Sequence, residues 1–270
     1  MDTPAGVDVQ DTDKEEEEAD LQIGMMNSED EDEEEEDKEK VLAVDGVVLR
    51  DDFTPGAEGE VPLASYVRAY QEMNKFIKLL GPLFYFVAYD VKRKVTYSLQ
   101  RYQYSYKLMD VIRKEMAGKN GRYYVDVKTM INYEKENDLV YRSSPMSGTD
   151  AFLKLNRVLE LAIGIMKEIM EDEEEPTLGQ VASEVYLTTT AKFHPSILST
   201  MLSGVLLLMP SRATVRNRIT RGTDEGEALM RRLMPEVMRS VKQTYEACLA
   251  LYREHDLHNL NVRGRTDTTP

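Results

Sequence analysis

Apolar side chains recur at three- and four-residue steps along most of this chain, starting near Leu63. Tyr66, Val67, Tyr70, Met73, Phe76, Ile77 and Leu80 fall on one helical stripe, which Gly81-Pro82 closes, because proline has no N–H and biases the residue before it away from helix. Leu83 to about Met116 reads as a second, long helix and Val125 to Leu139 as a third, with a loop at Gly118 to Gly121 between them. After a second loop, Ser143 to Gly148, the stretch Asp150 to Met170 is apolar around most of its circumference, which predicts a central helix. The acidic break Asp172 to Pro176 ends it, and Leu178 to Phe193 follows. Pro195 then opens a helix reaching Met209, at the position where a missing N–H costs least. Pro210 stops it, Val215 to Ile219 reads as a short turn, and Glu225 to Tyr252 as a last long helix bent at Pro235. No alternating strand pattern and no internal repeat is visible, so the pattern predicts one all-α domain of about eight helices.

Charge changes the picture at the N-terminus. The net charge of −15 is concentrated in residues 1–40, which hold 19 Asp and Glu against three Lys, while the rest holds 30 acidic and 31 basic side chains. Runs such as Glu15 to Glu18 and Glu29 to Asp37 cannot bury enough apolar surface to offset chain entropy, so a disordered acidic tail is expected over 1–40. Residues 41–62 carry an apolar patch, Val47 to Leu49, and then a connector with Pro and Gly, which reads as a lead-in segment. The helical domain is expected over 63–260, with a flexible C-terminus at 261–270. Its near neutrality lacks the basic surplus of a nucleic-acid binder.

The most apolar stretch, Ile197 to Met209, is interrupted by Ser199, Thr200, Ser203 and Gly204 and falls short of the roughly 18 apolar residues of a transmembrane helix. The acidic N-terminus shows neither the basic start nor the apolar core of a secretory signal. Cys248 is the single cysteine and forms no internal disulfide, so a cytoplasmic home is expected.

Several polar residues sit on apolar faces. Leu83, Phe86, Val87, Asp90, Lys94, Tyr97 and Arg101 share one stripe of the second helix. The spacing leaves two readings open for Asp90 and Lys94: an ordinary i,i+4 ion pair, or polar groups aimed into a pocket. Lys154 lies on the row with Val158, Leu161 and Ile165 and is either a lysine snorkelling from the first turn or a ligand group. His194 ends a helix, where a histidine is favoured by the dipole alone. His255 and His258, with Glu254 and Asp256, match no strong metal-ligand spacing, so no metal and no cofactor is expected. Gly-rich phosphate loops and nucleophile elbows are absent from the sequence, and nothing argues for an enzyme.

Four segments together resemble one family. The stretch Gly81 to Lys94 (GPLFYFVAYDVKRK), the run Leu153 to Leu161 (LKLNRVLEL), the segment Tyr186 through Phe193-His194-Pro195, and the pair Leu208 to Arg212 and Leu251 to His255 are similar, in order and spacing, to the glycolipid transfer protein superfamily, in particular its ceramide-1-phosphate-binding branch. The resemblance covers about Val47 to Leu260. It implies a two-layer sandwich of helices enclosing a pocket for two lipid chains. It also implies intermembrane transfer of a sphingolipid without chemical change, transient peripheral contact with membranes, and a monomer.

By the same resemblance Asp90 matches the residue that bonds the sphingoid amide and hydroxyl, and His194 the one that bonds the acyl carbonyl. Lys94 and Lys154 match phosphate-binding positions, where glycolipid-binding members carry an asparagine and a tryptophan; this chain has no tryptophan. Two cations suit a phosphate, and an aromatic face would suit a sugar. Arg142 and Arg157 are further headgroup candidates, and Arg157 suits a structural role equally. Leu83, Phe86, Val87, Leu159, Ile163, Leu198, Leu202 and Leu206 are expected to line the chain pocket. Two positions depart from the family: Asp150 stands where the phosphate branch has an arginine, and Ser196 where a membrane-inserting tryptophan is common, leaving Ile197 and Leu198 to take over insertion. A lipid sensor or interaction adaptor that binds without efficient transfer is the alternative expectation.

Overall fold

The structure, a computed structural model, describes residues 41–81, 101–142, 145–173 and 175–260, with the backbone alone for 101–106. The expected tail, the expected flexible C-terminus, and Leu83, Phe86, Val87, Asp90 and Lys94 lie outside the described residues. Within them the regular structure is helical, with isolated bridge residues such as the pair Pro62 and Asp126.

The lead-in contributes α1, Gly46–Asp52. Asp45 caps it by accepting the N–H groups of Val47 and Val48, and Leu49 and Phe53 are buried beside it. Next comes α2, Leu63–Leu79, whose buried stripe includes Tyr66, Tyr70, Met73 and Phe76. It stops at Gly81, which has φ 127° and would bring a Cβ to 3.2 Å from Pro210, so glycine is required there. The helix α3 covers Arg101–Ala117, and α4 covers Val127–Glu136 behind an Asp126 cap.

The central helix α5, Gly148–Ile169, buries residues on most of its circumference, as its composition predicts. It touches α3 and α4 and also the later helices α6, Leu178–Thr189, α8, Arg212–Ile219, and α9, Asp224–Glu254. Two phenols reach its backbone: Tyr70 donates to the Leu155 carbonyl (3.1 Å) and Tyr252 to that of Thr149 (2.7 Å). Tyr66 packs between them against Phe152, with ring centroids 4.3 Å apart. A phenol spends its apolar body in the core and still bonds a carbonyl, which fixes α2 and α9 on α5 in register.

The segment after α6 differs from one continuous helix to Phe193. A 3₁₀ turn at Ala191–Phe193 leads to His194, and α7, Ser196–Leu206, starts after Pro195. Gly179 lets α6 approach α7 so closely that a Cβ would lie 2.7 Å from the Leu207 carbonyl oxygen. Where the sequence predicts only a turn at Val215 to Ile219, α8 runs from Arg212. Its buried Arg212 donates to the Glu168 carbonyl (2.8 Å), the Pro176 carbonyl (2.7 Å) and the Glu168 carboxylate (2.8 Å). Pro235 lies inside α9, which is one helix by its hydrogen bonds.

Candidate functional site

The start of α5 is locked to its neighbours. Ser147 accepts the N–H of Asp150, and the fully buried carboxylate of Glu134 on α4 accepts the N–H groups of Gly148 (2.8 Å) and Thr149 (2.9 Å) and the Tyr124 hydroxyl (2.9 Å). Helix N-termini leave backbone N–H groups without intrahelical partners, and an anionic acceptor there is favoured by the dipole as well. Burial and the neighbouring Glu134 push the Tyr124 hydroxyl well above the ordinary tyrosine range, so it stays a donor.

From this fixed start, Asp150 and Lys154 project along one face, one helical turn apart. Lys154 Nζ lies 2.8 Å from the Asp150 carboxylate, with the two side chains 22% and 13% exposed. It also lies 3.6 Å from Met146 Sδ. Arg142, in the preceding loop, reaches the same methionine: its Nη2 is 3.4 Å from the Met146 carbonyl and 2.7 Å from the carboxylate of Glu115 on α3. Met146 thus gathers two cations, each paired with a carboxylate.

Arg157 points elsewhere. Its Nη2 donates to the carbonyls of His258 (3.2 Å) and Leu260 (2.8 Å), and its guanidinium covers the Phe193 ring at 3.6 Å. These contacts give it a structural task, clamping the end of the described chain onto the segment before His194. The His194 ring stacks on Tyr186 and sets its Nδ1 2.8 Å from the tyrosine hydroxyl.

Of the six headgroup candidates, four are described. Lys154 and Arg142 meet at Met146, and Arg157 and His194 are joined through Phe193. Sequence reasoning missed Tyr186, Glu115 and Glu134. Tyr186 carried a usable signal, an aromatic on the buried face of the helix that leads to His194. The chain-pocket candidates divide by burial: Leu159, Leu202 and Leu206 are buried, and Ile163 and Leu198 are partly buried against the core.

A separate apolar cavity of about 30 Å³ lies under α1, lined by Leu42, Val44, Leu49, Phe76, Met166 and Leu233 among others. None of the described chain-pocket candidates lines it, and it is of the size of a single water. Among the described residues no three His, Cys, Asp or Glu are placed to hold a metal ion, and no helix is long and apolar enough to cross a membrane.

Comparison with known proteins converges on one group. A family model described as Glycolipid transfer protein (GLTP) matches residues 61–221, a range that includes the whole cluster at Met146 and His194. The ceramide-1-phosphate transfer protein of Rattus norvegicus is 26% identical over 209 residues, covering 75% of this chain and 89% of that one. The protein of the same name from Danio rerio is 25% identical over 205 residues, covering 74% and 89%. Among solved structures, human ceramide-1-phosphate transfer protein in complex with 12:0 ceramide-1-phosphate aligns with a TM-score of 0.67 at 18% identity, over 80% of this chain and 98% of that chain. The fold is accordingly the two-layer helical sandwich expected from the sequence. With the family model spanning more than half of its residues, the chain belongs to the glycolipid transfer protein family.

Proposed function

We propose that the protein carries a sphingolipid with a phosphate-bearing headgroup between membranes and returns it chemically unchanged. The observation that carries this reading is the meeting of Lys154 and Arg142 at Met146, beside the start of the central helix. Paired cations with fixed partners suit recognition of phosphate oxygens through charge-assisted bonds. Membership of the family and the names of the relatives support the lipid class. Asp90 and Lys94 complete the headgroup set in this reading, and His194, held by Tyr186, takes the acyl carbonyl.

The energetic task is to move two hydrocarbon chains without exposing them to water. At about 0.8 kcal/mol per methylene, free desorption of two long chains costs tens of kcal/mol, and an apolar sleeve avoids it. Ile197, at the start of α7, is 86% exposed and is the natural residue to enter the bilayer surface during loading.

The test is transfer of labelled lipids between vesicles, comparing phosphosphingolipids with a glycosylceramide. Phosphosphingolipids should move at least tenfold faster, and Asp90→Val should abolish their transfer in a protein whose circular dichroism is unchanged. Faster movement of the glycosylceramide would overturn the headgroup class, and tight binding with slow transfer would favour the sensor.

A further inference from the structure

Glu115 stands in the last turn of α3, just before the helix ends at Ala117. That is a poor place for a carboxylate. The helix dipole puts its negative end there, which favours cations. The Glu115 side chain is also only 25% exposed, so water offsets its charge only in part. What compensates it is the Arg142 guanidinium, whose Nη2 lies 2.7 Å from its Oε1.

The contact does more for Arg142. The backbone of this arginine already belongs to the frame at the start of the central helix: its carbonyl accepts the N–H of Ser147 (3.3 Å), the residue that caps α5. The side chain, by contrast, is a long flexible stem, and ordering it costs conformational entropy. The Glu115 carboxylate, carried on a different helix, pins Nη2, and the Met146 carbonyl lies 3.4 Å from the same nitrogen. A guanidinium is planar and rigid, so fixing one edge orients the rest of its donors. Its Nε is buried and meets no acceptor among the described residues. An unsatisfied buried donor is costly, and a headgroup oxygen reaching it would remove that cost.

Resting on the proposed carriage of a phosphosphingolipid, we infer that Glu115 is a positioning residue for the headgroup site: it touches no lipid, and it holds the Arg142 guanidinium ready at Met146 for a phosphate oxygen. The arginine is then ordered before the lipid arrives, which raises affinity without a further contact. An acid that merely competed with phosphate for the arginine would act in the opposite direction.

The experiment uses the full chain and donor vesicles holding labelled ceramide-1-phosphate or sphingomyelin, the variants being compared on the faster of the two. Circular dichroism checks the folding of each variant. Arg142→Ala should lower transfer about tenfold and Glu115→Ala about fivefold. The double variant should lose no more than Arg142→Ala alone, because the acid acts through the arginine. Glu115→Gln keeps an acceptor oxygen for Nη2 and should lose only about twofold, which keeps the inference testable where the alanine variant folds poorly. Phosphorus NMR of the bound lipid gives a readout that a purely structural role leaves alone: Glu115→Ala and Arg142→Ala should shift the phosphate resonance in the same direction. Equal or faster transfer by Glu115→Ala, losses that multiply in the double variant, or an unmoved phosphate resonance overturns the inference while the phosphosphingolipid reading stands. Normal transfer by Arg142→Ala overturns it too, since the arginine then does not serve the headgroup. Failure of the unaltered protein to move either lipid removes the proposed function and this inference together.

Discussion

The hydroxyl of Tyr186 and Nδ1 of His194 lie 2.8 Å apart, across the break between α6 and the turn that leads to α7. In the tautomer where the hydroxyl donates to Nδ1, the ring proton sits on Nε2, which makes that nitrogen a donor suited to a carbonyl. Tyr186→Phe removes this control of the ring. Lipid transfer should fall about three- to tenfold, and stability by about 1 kcal/mol, the usual worth of one hydrogen bond. Transfer kinetics and a denaturant titration check the two effects separately; unchanged transfer would show that His194 needs no orienting partner.

Glu134 holds two backbone N–H groups of α5 and one hydroxyl, all in the buried interior. Glu134→Ala leaves these donors without an acceptor, at about 1–3 kcal/mol for each group left unsatisfied. A loss of about 3 kcal/mol or more is expected, read as a drop in thermal midpoint of roughly 6–12 °C for a domain of this size. Glu134→Gln keeps one acceptor oxygen and should lie between the two.

These two cases mark what the sequence made legible. Apolar stripes at Tyr66 to Phe76 and along α5 are local properties, and the helices follow from them directly. Sequence reasoning took Asp150 only as a departure from the family and did not pair it with Lys154, although i,i+4 spacing puts both side chains on one face. Glu134 and Glu115 were not legible: their partners lie 14 and 27 residues away on other elements, and only the packed fold brings them together. The lead-in helix escaped notice because seven residues give no sustained period, and its stability comes from the Asp45 cap and from packing on α2 and α9. α8 escaped because its exposed face is Arg-rich, and the buried side that fixes it includes a charged residue, Arg212.

Ile197 stands 86% exposed at the start of α7, directly after Ser196. Ile197→Asp should reduce binding to vesicles at least fivefold and slow transfer in proportion, with no change in thermal midpoint, because the side chain contributes little to the core. Flotation with vesicles measures the first effect; retained flotation would place the contact elsewhere, for example at Leu207 and Leu208, which are also exposed.

His255 titrates below the ordinary histidine value of 6.5, first because of burial and then because of the Lys135 ammonium, which lies 3.3 Å from its Nδ1. Between its folded value and that of the unfolded chain, the unfolded state binds more protons. Stability therefore rises with pH through that window, and it is lost as pH falls below about 6.5. Lys135→Ala removes the like charge and should move the imidazole midpoint upward, which proton NMR of the His255 ring reads directly. A midpoint at or above 6.5 in the unaltered protein would contradict the assignment.

Arg157 fastens the carbonyls of His258 and Leu260 with the same guanidinium that covers Phe193. The stretch following α9 therefore reports on the histidine segment and is reported on by it. Purification handles and fluorescent fusions joined just after Leu260 would pull on this fastening and distort any affinity measured with them. A label set there by design, by contrast, is mechanically linked to the segment before His194 and offers a way to follow loading and unloading in real time.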